Sequence, residues 1–462
     1  MDGNRGPSFH LVGIGGAGMS AIARLLLELG HPVSGSDLRD SPTLRELAAR
    51  GARVYLGHSP EQVPEGGIVI VTSAAPPDNP EVLEARRRGL PVWSRAEALR
   101  RLCLGRRCLA VAGIHGKTTT TALLTVLLRA SGEDPSFIIG GEVPELGGNG
   151  HAGSGRHIVL EADEYDRTFL ALEPAVAVVT NVEWEHVDCY PDPAAIREAF
   201  AAFLARVPAD GAVFLCQDDP GARELPRPAV PTFTYGLAPE ADWRAEEVEL
   251  GQAETTFTLS HAGRRLGRFH LRIPGEHNVR NALAALAVAA WEGADLERAG
   301  EVLATFSGVR RRFQEVGTAG GVTVVDDYAH HPSEIRSTLA AARQRFPKRR
   351  LAVVFQPHTY SRTRAFARDM AAALSLADLV LVTEVYAARE SDPGDVSGRE
   401  IAARLPPPAG YAATLEEALP WLEEHLRPGD VVLTLGAGDI TTLGPRLLSR
   451  LGGKEEGNDG TV

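Results

Sequence analysis

The chain has 462 residues, which is too long for one ordinary core and predicts about three domains at roughly 150 residues each. Hydrophobic residues make up 44% of it and charged residues 23%, and no apolar run approaches the roughly 18 residues of a membrane span, so we expect a globular protein without a membrane partner. The formal net charge of -12 offers no basic field to a phosphate backbone, so we expect no nucleic-acid partner.

Residues 1–104 predict a Rossmann-like α/β domain. The opening stretch "MDGNRGPSFH" lacks the apolar segment of an export signal. The strand "HLVGIG" leads into glycines with G-x-G-x-x-G spacing, a helix pattern follows, and a second strand, "PVSGSD", ends in an acidic residue. Further strands are "IVIVTS" and "LPVWS". This pattern is compatible with a dinucleotide-dependent oxidoreductase and also with a nucleotide-sugar site.

Residues 105–308 predict a central nucleotide-binding domain of the P-loop type. The strand "CLAVAGI" turns through Gly113 and Gly116 into Lys117, Thr118 and a helix. Such a loop brings backbone N–H groups and a lysine to phosphates and offers a hydroxyl to Mg²⁺, although G-x-x-G-K-T is shorter than the usual spacing. The strands "HIVLEADE" and "AVAVVTNVEWEH" predict a parallel sheet, and the alternating, hairpin-like stretch from "EVELG" to "HLRIPG" predicts a smaller antiparallel sheet.

Acidic side chains follow two strands of this central segment, where a nucleotide's Mg²⁺ would lie. The two groups are Glu161, Asp163, Glu164 and Asp166, and then Glu183, Glu185, His186 and Asp188. A charged helix start is the alternative for the first group, and a capped loop histidine is the alternative for His186. Cys189 suggests zinc only weakly, because no second Cys/His pair has suitable spacing.

Residues 309–462 predict a second Rossmann-like domain with the strands "GVTVVDDY", "RLAVVFQ", "DLVLVTEVY" and "VVLTLGAG". The polar tail "GGKEEGNDGTV" is expected to be disordered. The basic runs Arg86–Arg88 and Lys348–Arg350 are interpreted as solvated surface. The four cysteines, Cys103, Cys108, Cys189 and Cys216, show no disulfide framework, so we expect a cytoplasmic, reducing location.

Eight stretches, taken in order, resemble signatures of the Mur ligase family, the ATP-dependent amide-forming enzymes of peptidoglycan precursor synthesis. They are "GIGGAGMSAIA", "GIHGKTTTT", "EADEYD", "TNVEWEHVDCYP", "GEHNVRNALAA", "SGVRRRFQ", "DDYAHHPSEI" and "FQPHTYSRT". They look most like the members that join L-alanine to the carboxylate of UDP-N-acetylmuramate. The alternatives are the recycling member that adds a preformed tripeptide, an NAD-dependent oxidoreductase, and a binding protein with an inactive ATP site.

The resemblance implies an α/β fold of three domains, the first binding the UDP end of the substrate, the second ATP and the third the amino acid. It also implies ATP and Mg²⁺ as cofactors, ADP and phosphate as products, and small-molecule substrates as the only partners. We expect a monomer or a weak homodimer.

The resemblance assigns site residues as well. ATP is expected at Gly113, Ile114, His115, Gly116, Lys117, Thr118, Thr119, Asn278, Asn281 and Arg312. The UDP sugar is expected at Gly13, Gly15, Gly16, Ala17, Gly18, Met19, Ser36, Asp37 and Ser73. The amino acid is expected at Tyr328, His358 and Arg362, and the metal at Thr118, Glu161 and His186. The expected catalytic residues are Lys117, Glu161, His186, Arg312 and His330.

The sequence departs from the family pattern at three places. Ile114 replaces a threonine, with little expected effect because most loop contacts to phosphate come from backbone N–H groups. Thr359 replaces an arginine, which leaves the strength of alanine binding open. No lysine lies shortly after His186, so we do not predict a carbamylated lysine. The acceptor of the amine proton is open among His330, His331 and Asp327. For both histidines the alternative is a Pro-capped, solvent-facing loop.

Overall fold

In the computed structural model, which describes residues 6–456, the chain forms three β-sheets flanked by helices. The first sheet is parallel, in the order β3-β2-β1-β4-β5. Its strands are β1 (Phe9–Val12), β2 (Val33–Asp37), β3 (Arg53–Leu56), β4 (Ile68–Val71) and β5 (Val92–Ser94). Its helices are α1 (Ala17–Glu28), α2 (Pro42–Ala49), α3 (Pro80–Arg87) and α4 (Arg95–Cys103). The strand order reverses between β1 and β4, where such sheets bind ligands.

The second sheet has ten strands in the order β15-β14-β13-β12-β11-β10-β6-β9-β7-β8. They are β6 (Arg107–Ala112), β7 (Ser136–Val143), β8 (Gly148–His151), β9 (His157–Glu161), β10 (Val176–Val179), β11 (Ala212–Cys216), β12 (Thr232–Gly236), β13 (Trp243–Leu250), β14 (Thr255–His261) and β15 (Arg264–Leu271). The helices are α5 (Lys117–Ala130), α6 (Pro193–Leu204), α7 (Pro220–Arg223), α8 (Glu276–Trp291) and α9 (Leu296–Thr305). The hairpin-like stretch forms three antiparallel strands, and these join the parallel part because β13 also pairs with β12.

The third sheet is parallel except for the antiparallel edge strand β16, in the order β16-β17-β21-β18-β19-β20. Its strands are β16 (Gln314–Ala319), β17 (Val322–Asp327), β18 (Leu351–Phe355), β19 (Leu379–Thr383), β20 (Ala409–Ala412) and β21 (Val431–Leu435). Its helices are α10 (Pro332–Arg345), α11 (Tyr360–Leu374), α12 (Gly398–Ala402), α13 (Leu415–His425) and α14 (Leu443–Glu456). Short 3₁₀ helices span Pro60–Gln62, Pro144–Leu146, Tyr165–Ala171 and Asp439–Thr442.

These elements confirm the expected three-part α/β fold and correct one detail. Helix α14 continues to Glu456, so the first five residues of the tail expected to be disordered are helical. The rest of that tail, residues 457–462, lies outside the described residues. None of the helices among residues 6–456 has the length and apolar character needed to cross a membrane. The run Arg86–Arg88 does lie at the surface, where Arg87 and Arg88 pair with Glu84. In the second run only Lys348 is exposed, because Arg349 and Arg350 are half-buried and Arg350 pairs with the buried Asp430.

Two kinds of core hold the three sheets. One large apolar core runs through the first and second sheets, because α1 packs against β7 and β8 as well as against its own sheet. The third sheet has its own two main clusters of buried residues, built largely from separate sets of strand and helix side chains. The C-terminal part is therefore packed as a unit of its own.

Candidate active site

Two cavities meet at the loop between β6 and α5. The smaller has a volume of about 300 Å³ and lies between this loop, the beginning of α8 and the beginning of α10. The larger has a volume of about 800 Å³ and is lined by residues from all three sheet regions. The residues that line both are His115, Gly116, Thr118, Arg312 and Glu334. A ligand in one cavity can therefore touch a ligand in the other.

The loop between β6 and α5 needs glycine at two positions. Gly113 has a φ of +132°, and a Cβ there would overlap Thr180 Oγ1; Gly116 has a φ of +82°, and its Cβ would lie 2.5 Å from Asn281 Oδ1. Asn181 Oδ1 accepts hydrogen bonds from the amides of Ile114 and His115 at 2.9 and 2.8 Å. No side chain caps α5, so its first-turn N–H groups are available to a phosphate.

Lys117 is held in place by Glu164. Its Nζ donates to Glu164 Oε2 at 2.8 Å and to the Gly113 carbonyl at 2.5 Å, and the Glu164 side chain is 1% exposed. Burial acts to lower the pKa of Lys117, but the carboxylates of Glu164, Asp163 and Glu161 together outweigh it and raise that pKa. Glu164 also contacts His186 Nε2 at 3.0 Å. One carboxylate thus orients two residues expected from the sequence, and the sequence had identified Glu164 only as part of an acidic cluster.

The three expected metal ligands all line the larger cavity. Thr118 Oγ1 donates to Glu161 Oε2 at 3.1 Å. Burial raises the pKa of Glu161, against the opposing hydrogen bond from the Gly140 amide. His186 has a φ of +52°, and its Nε2 lies 3.0 Å from Glu164 Oε1, a contact that both the ligand interpretation and the loop alternative allow. The hydroxyl of Thr118 and the carboxylate of Glu161 are oxygen donors that suit Mg²⁺, whereas the imidazole of His186 is a nitrogen donor.

A second group of potential ligands is unsuited to a metal. His115, Glu183 and His331 bring one ligand atom each within 4.8 Å of the others, the only such group among residues 6–456, and Cys189 is not part of it. Burial acts to lower the pKa of His115, but Glu334 and Glu183 raise it to about 10. The imidazolium that results has no free lone pair for a metal.

The smaller cavity contains most of the residues expected to contact ATP. Asn278 and Asn281 line it beside Thr119, and Asn281 Nδ2 donates to Asn278 Oδ1 at 3.1 Å. Asp218 and Arg280 line it as well and pair with each other at 2.9 Å. No motif in the sequence pointed to that pair, since β11 and α8 lie far apart along the chain.

The residues expected to hold the amino acid lie together at the C-terminal side of the larger cavity. Tyr328, His358 and Arg362 all line it. The Arg362 Nη1 donates to the His358 carbonyl at 3.1 Å, and its Nε donates to Glu185 Oε1 at 2.8 Å. Thr359 is only 3% exposed, has a φ of +64° and is not among the lining residues. Position 359 therefore supplies no positive charge beside Arg362 for the carboxylate of the amino acid.

The three proposed proton acceptors differ in position. His330 lines the larger cavity, and its Nδ1 lies 2.9 Å from the Tyr328 carbonyl. His331 instead caps α10, with its Nδ1 accepting from the Ser333 amide at 3.4 Å. Asp327 lines the smaller cavity, and burial raises its pKa to about 6. The Pro-capped loop is confirmed, but the solvent-facing alternative is wrong, because His331 is 4% exposed and the side chain of His330 is 16% exposed. Burial lowers the pKa of both histidines to about 4.

Only two of the residues expected to hold the UDP sugar, Gly15 and Ala17, line the larger cavity. The others, Gly13, Gly16, Gly18, Met19, Ser36, Asp37 and Ser73, are not among the lining residues. Asp37 Oδ2 accepts from the Gly15 amide at 3.0 Å, and the buried Ser36 donates to Glu81. Asp37 therefore stabilises the glycine loop. Asn149, Arg310 and Arg389 also line this cavity, and no motif singled out Asn149 or Arg389.

Family models match three consecutive parts of the chain. Residues 8–107 match "Mur ligase family, catalytic domain", residues 111–289 match "Mur ligase middle domain", and residues 311–438 match "Mur ligase, glutamate ligase domain".

Individual proteins agree with this match. The chain is 47% identical to the UDP-N-acetylmuramate--L-alanine ligase of Acidothermus cellulolyticus, over 96% of this chain and 94% of that protein. The crystal structure of UDP-N-acetylmuramate-alanine ligase MurC from Thermotoga maritima is 31% identical with a TM-score of 0.82, covering 96% of this chain and 99% of that one. A murein peptide ligase from Psychrobacter arcticus is 26% identical with a TM-score of 0.75, covering 97% and 99%.

Proposed function

The chain belongs to the Mur ligase family, and we propose that it joins L-alanine to the carboxylate of UDP-N-acetylmuramate with the hydrolysis of ATP to ADP and phosphate. One observation carries the proposal: the larger cavity brings the glycine loop before α1, Lys117 and Arg362 to one space. A three-substrate ligation needs such a meeting point, whereas a dehydrogenase does not. The identity to alanine ligases supports L-alanine as the third substrate.

The cavities suggest where each substrate binds. ATP would occupy the smaller cavity beside Asn278 and Asn281, with its phosphates at the start of α5. The sugar nucleotide would extend from Gly15 toward Lys117 in the larger cavity, and L-alanine would bind beside Arg362. The terminal phosphate then lies at the border between the cavities, within reach of the sugar carboxylate.

In the first step the sugar carboxylate attacks the γ-phosphorus of ATP, the bond from that phosphorus to the β-γ bridging oxygen breaks, and an acyl phosphate and ADP form. Lys117, kept charged by Glu164, is suited to neutralise the phosphoryl oxygens. Arg312 lines both cavities and would offer a second positive charge. Thr118, Glu161 and His186 would hold Mg²⁺, which supplies charge neutralisation when bound.

In the second step the neutral amine of L-alanine attacks the acyl carbonyl and phosphate leaves. His330 is the best placed of the three candidates to accept the amine proton. Its Nδ1 faces the Tyr328 carbonyl and would donate to it, which leaves the lone pair of Nε2 for the proton. Burial lowers its pKa to about 4 and keeps it neutral near pH 7 before it acts.

An acyl phosphate is hydrolysed by water, so the site needs to close during the reaction. Contacts such as Ser333 Oγ to Glu183 Oε2 at 2.6 Å join the C-terminal part to the central part next to the smaller cavity. We propose domains of residues 1–104, 105–308 and 309–462, and the described part of the third, residues 309–456, is the part that would move.

Phosphate release at saturating ATP and UDP-N-acetylmuramate tests the proposal directly. We expect release that depends on L-alanine and no comparable release with the tripeptide that the recycling ligases add. Equal or greater turnover with the tripeptide would favour the alternative, and NADH turnover without phosphate release would refute the ligase assignment.

A further inference from the structure

Arg362 and Glu185 form an ion pair inside the larger cavity. The pair joins α11 to the loop after β10, with Nε and Oε1 2.8 Å apart. The two side chains are 8% and 4% exposed, and both residues line the cavity. Burying two charges this deeply lowers the free energy of unfolding unless their donor and acceptor atoms form hydrogen bonds.

The pair leaves one donor and one acceptor unused. Arg362 uses Nε for Glu185 and Nη1 for His358, while Glu185 Oε1 also accepts from the His186 amide at 3.0 Å. Within residues 6–456, neither Arg362 Nη2 nor Glu185 Oε2 makes a hydrogen bond, and His331 Nε2 lies 3.9 Å from Oε2. A free cationic donor and a free anionic acceptor thus lie beside each other in the cavity wall.

We propose that the Arg362–Glu185 pair is a receptor for the zwitterion of an α-amino acid, with Glu185 as a specificity-determining residue that binds the α-ammonium group. This inference rests on the proposed function. In the complex before the reaction, the carboxylate of the amino acid accepts from Arg362 Nη2, and its ammonium donates to Glu185 Oε2; the ammonium then loses one proton to solvent before the neutral amine attacks. Both contacts are charge-assisted, so they are stronger than neutral hydrogen bonds.

The charges around Glu185 suit this role. Arg362 Nε and the His186 amide both donate to Glu185 Oε1, at 2.8 and 3.0 Å, and a carboxylate is the form that accepts two such bonds at one oxygen. A carboxylic acid that lacks the ammonium, such as propionate, would use only the Arg362 half of the receptor. The site therefore selects α-amino acids over simple carboxylates.

The test compares KM for L-alanine with the inhibition constant of propionate in E185Q. Gln keeps the size of the side chain but removes its charge. We expect KM for L-alanine to rise about tenfold to a hundredfold, the loss of one charged hydrogen bond, while the inhibition constant of propionate and KM for ATP change less than about threefold. If E185Q does not fold, E185D, which is one methylene shorter, is expected to show the same split with a smaller rise.

E292Q is the matched control, because Glu292 is 2% exposed and pairs with Arg107 at 2.7 Å away from both cavities. It is expected to lower the melting temperature and leave both constants unchanged. An unchanged KM for L-alanine in E185Q, or an equal rise of KM and of the propionate constant, would overturn the assignment of the ammonium to Glu185. A wild-type protein without alanine-dependent phosphate release would instead refute the proposed function.

Discussion

The C-terminal part of the chain contacts the rest in a different way from the contact between the first two sheets. Helix α1 is almost entirely buried against β7 and β8, in an apolar core that runs through both sheets. The C-terminal part meets the others largely through polar pairs, including Arg362 with Glu185, Arg389 with Asp188 and Arg39 with Tyr386. Ring contacts of Trp184 with Phe366 and of His115 with His331 lie among them.

This difference supports the proposed closure of the C-terminal part against the other two. Separating two apolar surfaces costs the whole free energy of their burial. We therefore expect the contact of α1 with β7 and β8, called the fixed joint below, to stay closed. Charged groups regain hydration when they separate, so polar interfaces allow domain motion at lower cost. The closing interface between the C-terminal part and the rest also contains the cavities. Substitutions there should change activity, whereas substitutions at the fixed joint should change stability.

Lys117→Ala should have the largest effect at the closing interface. The lysine is the cation nearest the helix start that would bind the phosphates, so its loss should lower kcat by about 10³-fold or more. Phosphate release in single-turnover and steady-state assays measures the loss. Lys348→Ala, at an exposed lysine, is the control and should keep full activity. A Lys117→Ala variant with wild-type turnover would remove this loop from the reaction.

Arg362→Ala should have the next largest effect. It removes the guanidinium at the amino-acid end of the cavity and should raise KM for L-alanine about tenfold to a hundredfold, with KM for ATP nearly unchanged. Arg364→Ala, two residues away at an exposed pair with Asp395, is the control. Equal increases in both KM values would mean that Arg362 serves closure and not alanine binding.

Gly150→Ala tests the fixed joint. A Cβ at Gly150 would overlap the carbonyl of Ala21 in α1, so the substitution should lower the free energy of unfolding by about 1–3 kcal/mol. Gly66→Ala is the control, because a Cβ there meets nothing within 4 Å. Denaturant unfolding measures both variants. If Gly150→Ala unfolds like the wild type, the joint is looser than its packing indicates.

The pH dependence of His115 gives the smallest expected effect and tests the closing interface. The pKa of His115 is raised to about 10 in the folded protein. The protonated side chain therefore adds to the free energy of unfolding in full below about pH 6.5, and this contribution is lost as the pH rises through about 10. His115→Gln should remove this dependence, on the order of 1 kcal/mol or roughly 2–4 °C in melting temperature. His270→Gln, at an exposed histidine, is the control. The prediction is wrong if the melting temperatures of His115→Gln and of the wild type change by the same amount between pH 6.5 and pH 10.

Several features of the site were readable from the sequence because they are local in the chain. The strand, glycines, lysine and helix around Lys117 follow one another directly, and each has its own sequence signal. The acidic groups after β9 and β10 were also visible, because a strand and its following loop are contiguous. Strands such as β3 and β20 were missed because each has only four residues, too few to show a periodic pattern.

The sequence by itself determined the α/β class, the phosphate loop and the set of titratable residues that the chain offers. Only the tertiary structure decided how these residues pair: that Asp37 bonds to Gly15, that Glu164 holds Lys117 and that Glu185 meets Arg362. The physical reason is that hydrophobic periodicity and turn chemistry act over a few residues, whereas a charged side chain selects its partner by distance in space. Glu185 and Arg362 are 177 positions apart, and no local pattern records that they are 2.8 Å from each other.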